Sequence, residues 1–370
     1  MIYLDHAATT PVKDEVLSAM IPYFCASFAN PSASYSAARE SKQAIDRGRR
    51  EIAEAIGAKR NEIYFTSGGT ESDNWAILGL AAARPDKRHI ITTPIEHHAV
   101  LNTCEALSRQ GYEITYLPVD EHALVSCESL ETLIRPDTLM ISVMLANNEI
   151  GTIEPLRRIS QIAQDNNVPV HTDAVQAAGH IPVDVRALGV DLLSLSAHKF
   201  GGPKGIGALY IRDGLQIDPL HHGGAQEKGL RSGTENVPAI VGMAKALGLA
   251  CEKMSVVSSH VSNLQRQLRA LVEEIPGVHV NGGTDNILPG HLHISIDQAS
   301  SQLLLMRLDM EGIAASSGSA CASGANTRSH VMNAIRPAAD QADLRFSIGE
   351  DNTLEEIVAT AAALLRILKR

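Results

Sequence analysis

The sequence predicts an α/β protein: a large domain built on a mostly parallel sheet flanked by helices, joined to a smaller α+β domain. Three observations carry this. Short apolar runs alternate with helical stretches over much of the chain, the mark of repeated βα units. The texture changes after about residue 255, where strand-like VHVNG and HLHISID stand between helices. And 370 residues, 44% of them hydrophobic, suffice for one large domain and a smaller second one. The expected division is 15–255 for the large domain, with 1–14 and 256–370 forming the small one.

In chain order, residues 34–56 predict a helix with Ala38, Ile45, Ile52 and Ile56 on one face and Gly57 just past its end. Residues 63–66 read as a strand, after which Ser67, Gly68, Gly69 and Thr70 open a helix through Trp75 and Leu78. Further strands are expected at 89–93, 114–118, 139–145, 168–172 and 190–195. In the small domain a helix should bury Val261, Leu264, Leu268 and Leu271. The last helix starts at a capping box, Thr353 with Glu356, and should bury Leu354, Ile357, Ala361, Leu364 and Leu368.

Charge and cysteine content narrow the function. The net charge is −10 and no basic stripe interrupts it, so nucleic acid and anionic membrane are poor direct partners. No apolar run approaches the ~20 residues that span a bilayer. Five cysteines, an odd number without metal-ligand spacing, fit free thiols in a reducing compartment. With no leader visible after Met1, the expected location is the cytoplasm.

The chemistry gathers at VDLLSLSAHKFGGPKGIGALY, residues 190–210. Its apolar run ends at Ser196, and Ala197, His198 and Lys199 follow before a glycine-rich bend. In open α/β sheets such positions line the ligand crevice. A lysine kept from water there becomes an amine nucleophile that can bond an aldehyde cofactor; the alternative is a surface lysine in a turn. Asp173 ends the preceding strand. A carboxylate and a lysine on neighbouring strand ends suit pyridoxal phosphate, the lysine holding the aldehyde and the carboxylate the ring nitrogen. Ser67-Gly68-Gly69-Thr70 lies where small residues and helix N–H groups can meet a phosphate.

The motifs YLDHAATTPV, FTSGGTESDNWAI, EHHAV, NNEIG, HTDAVQAAG, SAHKFGGPKGIGALY, RSGTEN, SSGSACAS and RFSIG occur in this order over nearly the whole chain. Together they resemble the cysteine desulfurases of the class V aminotransferase family. The resemblance implies a fold-type-I pyridoxal-phosphate enzyme working as a homodimer. It places Gly69, Thr70, Ser196 and His198 at the cofactor phosphate, with Thr234 reaching the phosphate of the neighbouring subunit. It assigns Asp173 to the ring nitrogen, Lys199 to the covalent link, and His97 to the ring face as a proton shuttle, which a near-neutral pKa would suit. Asn148 and Gln176 would bond cofactor or substrate oxygens, and Arg345 the substrate carboxylate. No metal is expected, because the His97–His98 pair lacks further ligands at a sensible spacing.

Cys321 sits in SSGSACASGANTRSH, a stretch poor in apolar residues that is expected to form a mobile loop over about 316–330. By resemblance it is the nucleophile that accepts sulfur; the other four cysteines are expected to fill the core. The implied activity is that of a pyridoxal-phosphate-dependent sulfurtransferase. It converts L-cysteine to L-alanine and leaves a persulfide on Cys321 for a sulfur-acceptor or scaffold protein, in iron–sulfur cluster assembly or another sulfur-trafficking route. Ala322 and the Asn326-Thr327-Arg328 run depart from the common loop pattern and leave the acceptor open. The rival readings are a selenocysteine lyase, another class V aminotransferase, and a non-catalytic scaffold.

Overall fold

Seven strands form the main sheet, in the order Ile63–Thr66, Gly207–Ile211, Leu192–Ser196, Val170–Asp173, Thr138–Ser142, His89–Thr92 and Glu113–Tyr116. The computed structural model describes residues 1–318, 328–336 and 341–369. Every pairing is parallel except those of Gly207–Ile211, which runs antiparallel to both neighbours. Residues 138–142, 192–196 and 207–211 are buried throughout, as strands covered on both faces must be. Side chains alternate between two cores: Leu193 and Leu195 join Ile52, Phe65 and Ile240 on one side, while Leu192 joins Trp75, Leu80 and Val100 on the other.

The antiparallel strand is hidden in the sequence by its glycines. A Cβ on Gly207 would lie 2.5 Å from the Leu195 carbonyl oxygen and 2.7 Å from the Gly68 backbone. Glycine there lets the strand press against the Gly68 turn, which aims the following helix, Gly69–Ala83, at the sheet's C-terminal edge.

A second core joins Leu4 to Leu264, Leu268, Ile294, Phe346 and Leu364. It packs on an antiparallel sheet of Gln341–Ser347, His291–Asp297 and Val278–Asn281. The N-terminal strand Ile2–Tyr3 pairs with Ile313–Ala314, so both chain ends meet here. One helix, Val237–Glu273, runs unbroken through residue 255 and contributes to both cores.

Two helix faces are rotated from expectation. In the helix Leu354–Leu368, the capping box forms and Ile357, Ala361 and Leu364 are buried, yet Leu354 is exposed and Ile367, not Leu368, completes the face. Likewise Val272 is buried where Leu271 was expected. A seven-residue spacing drifts about 20° on a 3.6-residue helix, so the outermost positions leave the stripe first.

Arg49, on the helix Ser36–Ala55, is buried in a two-pronged pair with Glu227, at 2.6 and 2.5 Å. The same carboxylate accepts the Phe65 amide at 3.0 Å. Removing one partner strands the other charge, so Glu227→Ala should cost about 3–5 kcal/mol. The check is a lowered midpoint of urea unfolding, with Glu227→Gln falling between it and the parent.

Candidate active site

The site is a cleft of about 250 Å³ where the strand ends of the main sheet face the N-terminal arm and the small sheet. Its wall includes Gly69, Thr70, His97, Asn148, Asp173, Gln176, Ser196, His198, Lys199 and Arg345. These are ten of the candidate residues, drawn from widely separated parts of the chain. Thr234 does not line it and is exposed. Cys321 lies outside the described residues.

Lys199 closes a short turn, Ala197–Lys199, directly after the strand Leu192–Ser196. Its Nζ donates to the carbonyls of Ala7 at 2.6 Å and Ala8 at 3.0 Å. Gln176 Nε2 donates to the same Ala7 carbonyl at 2.9 Å. The N-terminal arm is therefore part of the cleft wall, and Asp5 and Ala7 are held there by Ser347 of the small sheet.

Asp173 ends its strand with Oδ1 accepting the Val175 amide at 2.8 Å. Burial lifts its carboxyl above the ordinary range, opposed by that amide and by the Lys199 ammonium. A cation brought into the cleft would ionise it. Asp73 lies beside it, one turn along the helix from Gly69 and Thr70, fully buried, with Oδ1 3.5 Å from His171 Nε2. Burial and the neighbouring Asp173 lift Asp73 well above its usual value. Its helical spacing from Gly69 was the available signal, but an aspartate in ESDN reads as a solvated residue until the helix is docked.

At the cup, a Cβ on Gly69 would lie 2.7 Å from Val175 Cγ2, so the backbone is bare where a ligand anion would approach the helix N-terminus. Ser196 is buried nearby. His198 Nδ1 lies 3.1 Å from Thr9 Oγ1, and burial with the Lys199 and Lys204 charges brings its pKa down to about 4.

His97 caps the helix His98–Ser108, Nδ1 accepting the Ala99 amide at 3.1 Å. That bond assigns the ring proton to Nε2. Burial first, then Lys199, His98 and His330, pull its pKa down to about 4. The near-neutral value expected from sequence is thus corrected: in this cleft His97 stays neutral at ordinary pH.

Arg345 is almost fully buried on the strand Gln341–Ser347. It donates to the Asn148 carbonyl and to Asp5 Oδ1, each at 2.7 Å. A substrate carboxylate would share or replace Asp5. The expectation that four cysteines fill the core holds for Cys104; Cys127 and Cys251 are half-buried and Cys25, ending a four-residue helix, is exposed. A helix too short to bury a face leaves its last residue in solvent. No cluster of metal-ligating side chains occurs among the described residues, and none of their helices is long and apolar enough to cross a membrane.

Comparison with known proteins agrees with this architecture. The family model for aminotransferase class-V matches residues 2–359, and the chain belongs to that family, on its cysteine desulfurase branch. It is 51% identical to the cysteine desulfurase IscS of Methanosarcina thermophila, over 96% of this chain and 89% of that protein. Among solved structures, a NifS-like protein superposes with a TM-score of 0.94 at 39% identity, covering 100% of this chain and 99% of the other. The structure of SspA in complex with cysteine gives 0.84 at 39% identity, covering 95% and 100%.

Proposed function

We propose that the protein takes the sulfur atom from L-cysteine, releases L-alanine, and holds the sulfur as a persulfide on Cys321 for delivery to an acceptor protein, with pyridoxal phosphate as its cofactor. The observation that carries this is the meeting of Lys199, Asp173 and the bare helix start at Gly69 in one cleft. The fit is chemical. Asp173 is a buried carboxyl at the strand end beside Lys199, and a ring N–H⁺ brought against it would favour its ionised form. The backbone at Gly69 and Thr70, with Ser196 and His198, offers donors to a phosphate. Asn148 and Gln176 offer amide groups to the remaining oxygens.

When bound, the cofactor supplies an electron sink for charge developing at the substrate Cα. Lys199 would hold its aldehyde carbon until the substrate amine takes that place, and the freed amine can then accept the Cα proton. Asp173 would hold the proton at the ring nitrogen. His97, neutral with its proton on Nε2, can pass a proton near the substrate. Arg345 receives the substrate carboxylate and fixes its plane. The Cys321 thiolate attacks the substrate sulfur; an S–S bond forms, the C–S bond breaks, and its electron pair stays on the carbon that becomes the alanine methyl. No outside oxidant or reductant is required.

A homodimer and a cytoplasmic location belong to the same reading. Thr234 is exposed and away from its own cleft, which supports a role toward a partner subunit's phosphate. The test of the activity is stoichiometric: one alanine per persulfide trapped on Cys321 by alkylation during a single turnover. Alanine without a modified Cys321 peptide overturns the sulfur acceptor.

Replacing Arg345 by lysine leaves a charge but loses the paired N–H donors. Loss of one such bond to a charged group corresponds to about 1.5–3 kcal/mol, or roughly 10- to 100-fold. The expected result is a rise of that size in KM for L-cysteine, with a smaller change in kcat, read from steady-state alanine formation.

A further inference from the structure

Arg345 is gripped before any substrate arrives. Its Nη1 donates to the Asn148 carbonyl and its Nη2 to Asp5 Oδ1, each at 2.7 Å. Its Nε is buried without a hydrogen-bond partner among the described residues. A guanidinium meets a carboxylate best through two parallel N–H bonds, from Nε with Nη2 or from Nη1 with Nη2. Either pair draws on the nitrogen that Asp5 holds. Asp5 does not line the cleft. It reaches the guanidinium from the N-terminal arm, with its side chain 19% exposed against 2% for Arg345.

The arm is pinned by bonds that do not involve the Asp5 carboxylate. Asp5 bridges Ser347, two residues along the strand from Arg345 and so on the same face. The Ser347 amide donates to the Leu4 carbonyl at 2.8 Å, and the Ala7 amide donates to Ser347 Oγ at 2.8 Å. The Asp5 carbonyl accepts the Tyr3 hydroxyl at 3.1 Å and the Ala8 amide at 3.0 Å. Replacing the carboxylate alone therefore leaves its carrier in place. Other titratable groups around Arg345 are poorer counter-ions. His291 and His293, on the strand His291–Asp297, are brought down to about 3 by burial first and Arg345 second, so they stay neutral. Burial lifts Glu149, which also faces the guanidinium, to about 7.

We propose that Asp5 is the resident counter-ion of Arg345 and opposes the substrate carboxylate there, so that it sets how tightly L-cysteine and L-alanine are held. This rests on the reading of Arg345 as the receptor of that carboxylate. A buried guanidinium left unpaired is costly, and Asp5 offsets that cost in the empty cleft. With substrate bound, two anions share one cation, and each weakens the hold of the other. The product carries the same carboxylate as the substrate, so the same opposition favours its release.

The experiment uses cofactor-loaded Asp5→Asn, Asp5→Ser and Asp5→Glu proteins. The probe is L-alanine, which carries the carboxylate without the thiol. Its Kd is read from the change in cofactor absorption, and KM and kcat for L-cysteine from alanine formation. A neighbouring charge shifts such an equilibrium by about 10- to 1000-fold, so Asp5→Asn and Asp5→Ser should each bind L-alanine at least about tenfold more tightly. KM for L-cysteine should fall with no gain in kcat, and Asp5→Glu, which keeps the charge, should stay near the parent. A residue that only positions the arm or the guanidinium gives the opposite sign. Weaker or unchanged L-alanine binding in Asp5→Asn and Asp5→Ser therefore overturns the proposal. Arg345→Lys separates the two readings. If it leaves L-alanine binding unchanged, Arg345 is not the receptor and both fail. If it weakens L-alanine binding while Asp5→Asn does not tighten it, only the role of Asp5 fails.

Discussion

Lys199→Ala is expected to lose the covalently held cofactor and at least about 1000-fold in alanine formation, within the range assigned to a positioned acid–base group. The side chain reaches from a strand end to the carbonyls of Ala7 and Ala8, so its amine is held at the cleft wall before any ligand arrives. Its positive charge also lowers the Asp173 carboxyl and the His97 imidazole. Alanine removes the bond-forming nitrogen and that charge together. Lys199→Arg keeps the charge without a nucleophilic amine and should be equally inactive while binding cofactor more tightly than the alanine variant. Borohydride reduction of the parent protein should fix the cofactor to one peptide, the one containing Lys199. Label on another lysine, or turnover preserved in either variant, would remove the basis of the mechanism.

Cys321→Ala should lower sulfur release from L-cysteine by at least about 100-fold, the smallest loss consistent with removing a tethered nucleophile. Cofactor absorption and L-cysteine binding should be unchanged, because neither uses the thiol. The remaining thiols offer no substitute. Cys104 is buried, and burial pushes its pKa up to about 12, so thiolate is scarce. Burial also raises Cys127 and Cys251, and none of the four described cysteines lines the cleft. Cys25 is exposed, but on a short helix that does not border the cleft. Undiminished alanine formation by the variant, measured without added thiol, would move the nucleophile elsewhere.

Both results bear on the same division between what is local in the chain and what is not. The βα alternation, the capping box at Thr353 and the helix start at Gly69 are set by neighbouring residues, through period, turn chemistry and backbone freedom. They are legible in sequence for that reason. So is the placement of Lys199 and Asp173 at strand ends, since the apolar run before each one fixes where the strand stops. Their meeting in one cleft follows once the strands pair in parallel.

Other features depend on partners distant in the chain. Gly207–Ile211 becomes a strand only because Gly207 can approach Leu195 and Gly68. Arg345 already bonds Asp5 across nearly the full chain length. His97 loses its near-neutral pKa to burial, which no hydropathy pattern records. Asp73 and Glu149 look like surface acids until docking encloses them. The sequence by itself determined most of the strands and helices, Gly207–Ile211 excepted, and which side chains stand at their ends. Tertiary structure alone decided which carboxyls are dry, which imidazoles stay neutral and what holds the guanidinium. Desolvation and charge pairing depend on the atoms within a few ångströms, and those atoms come from anywhere in the chain.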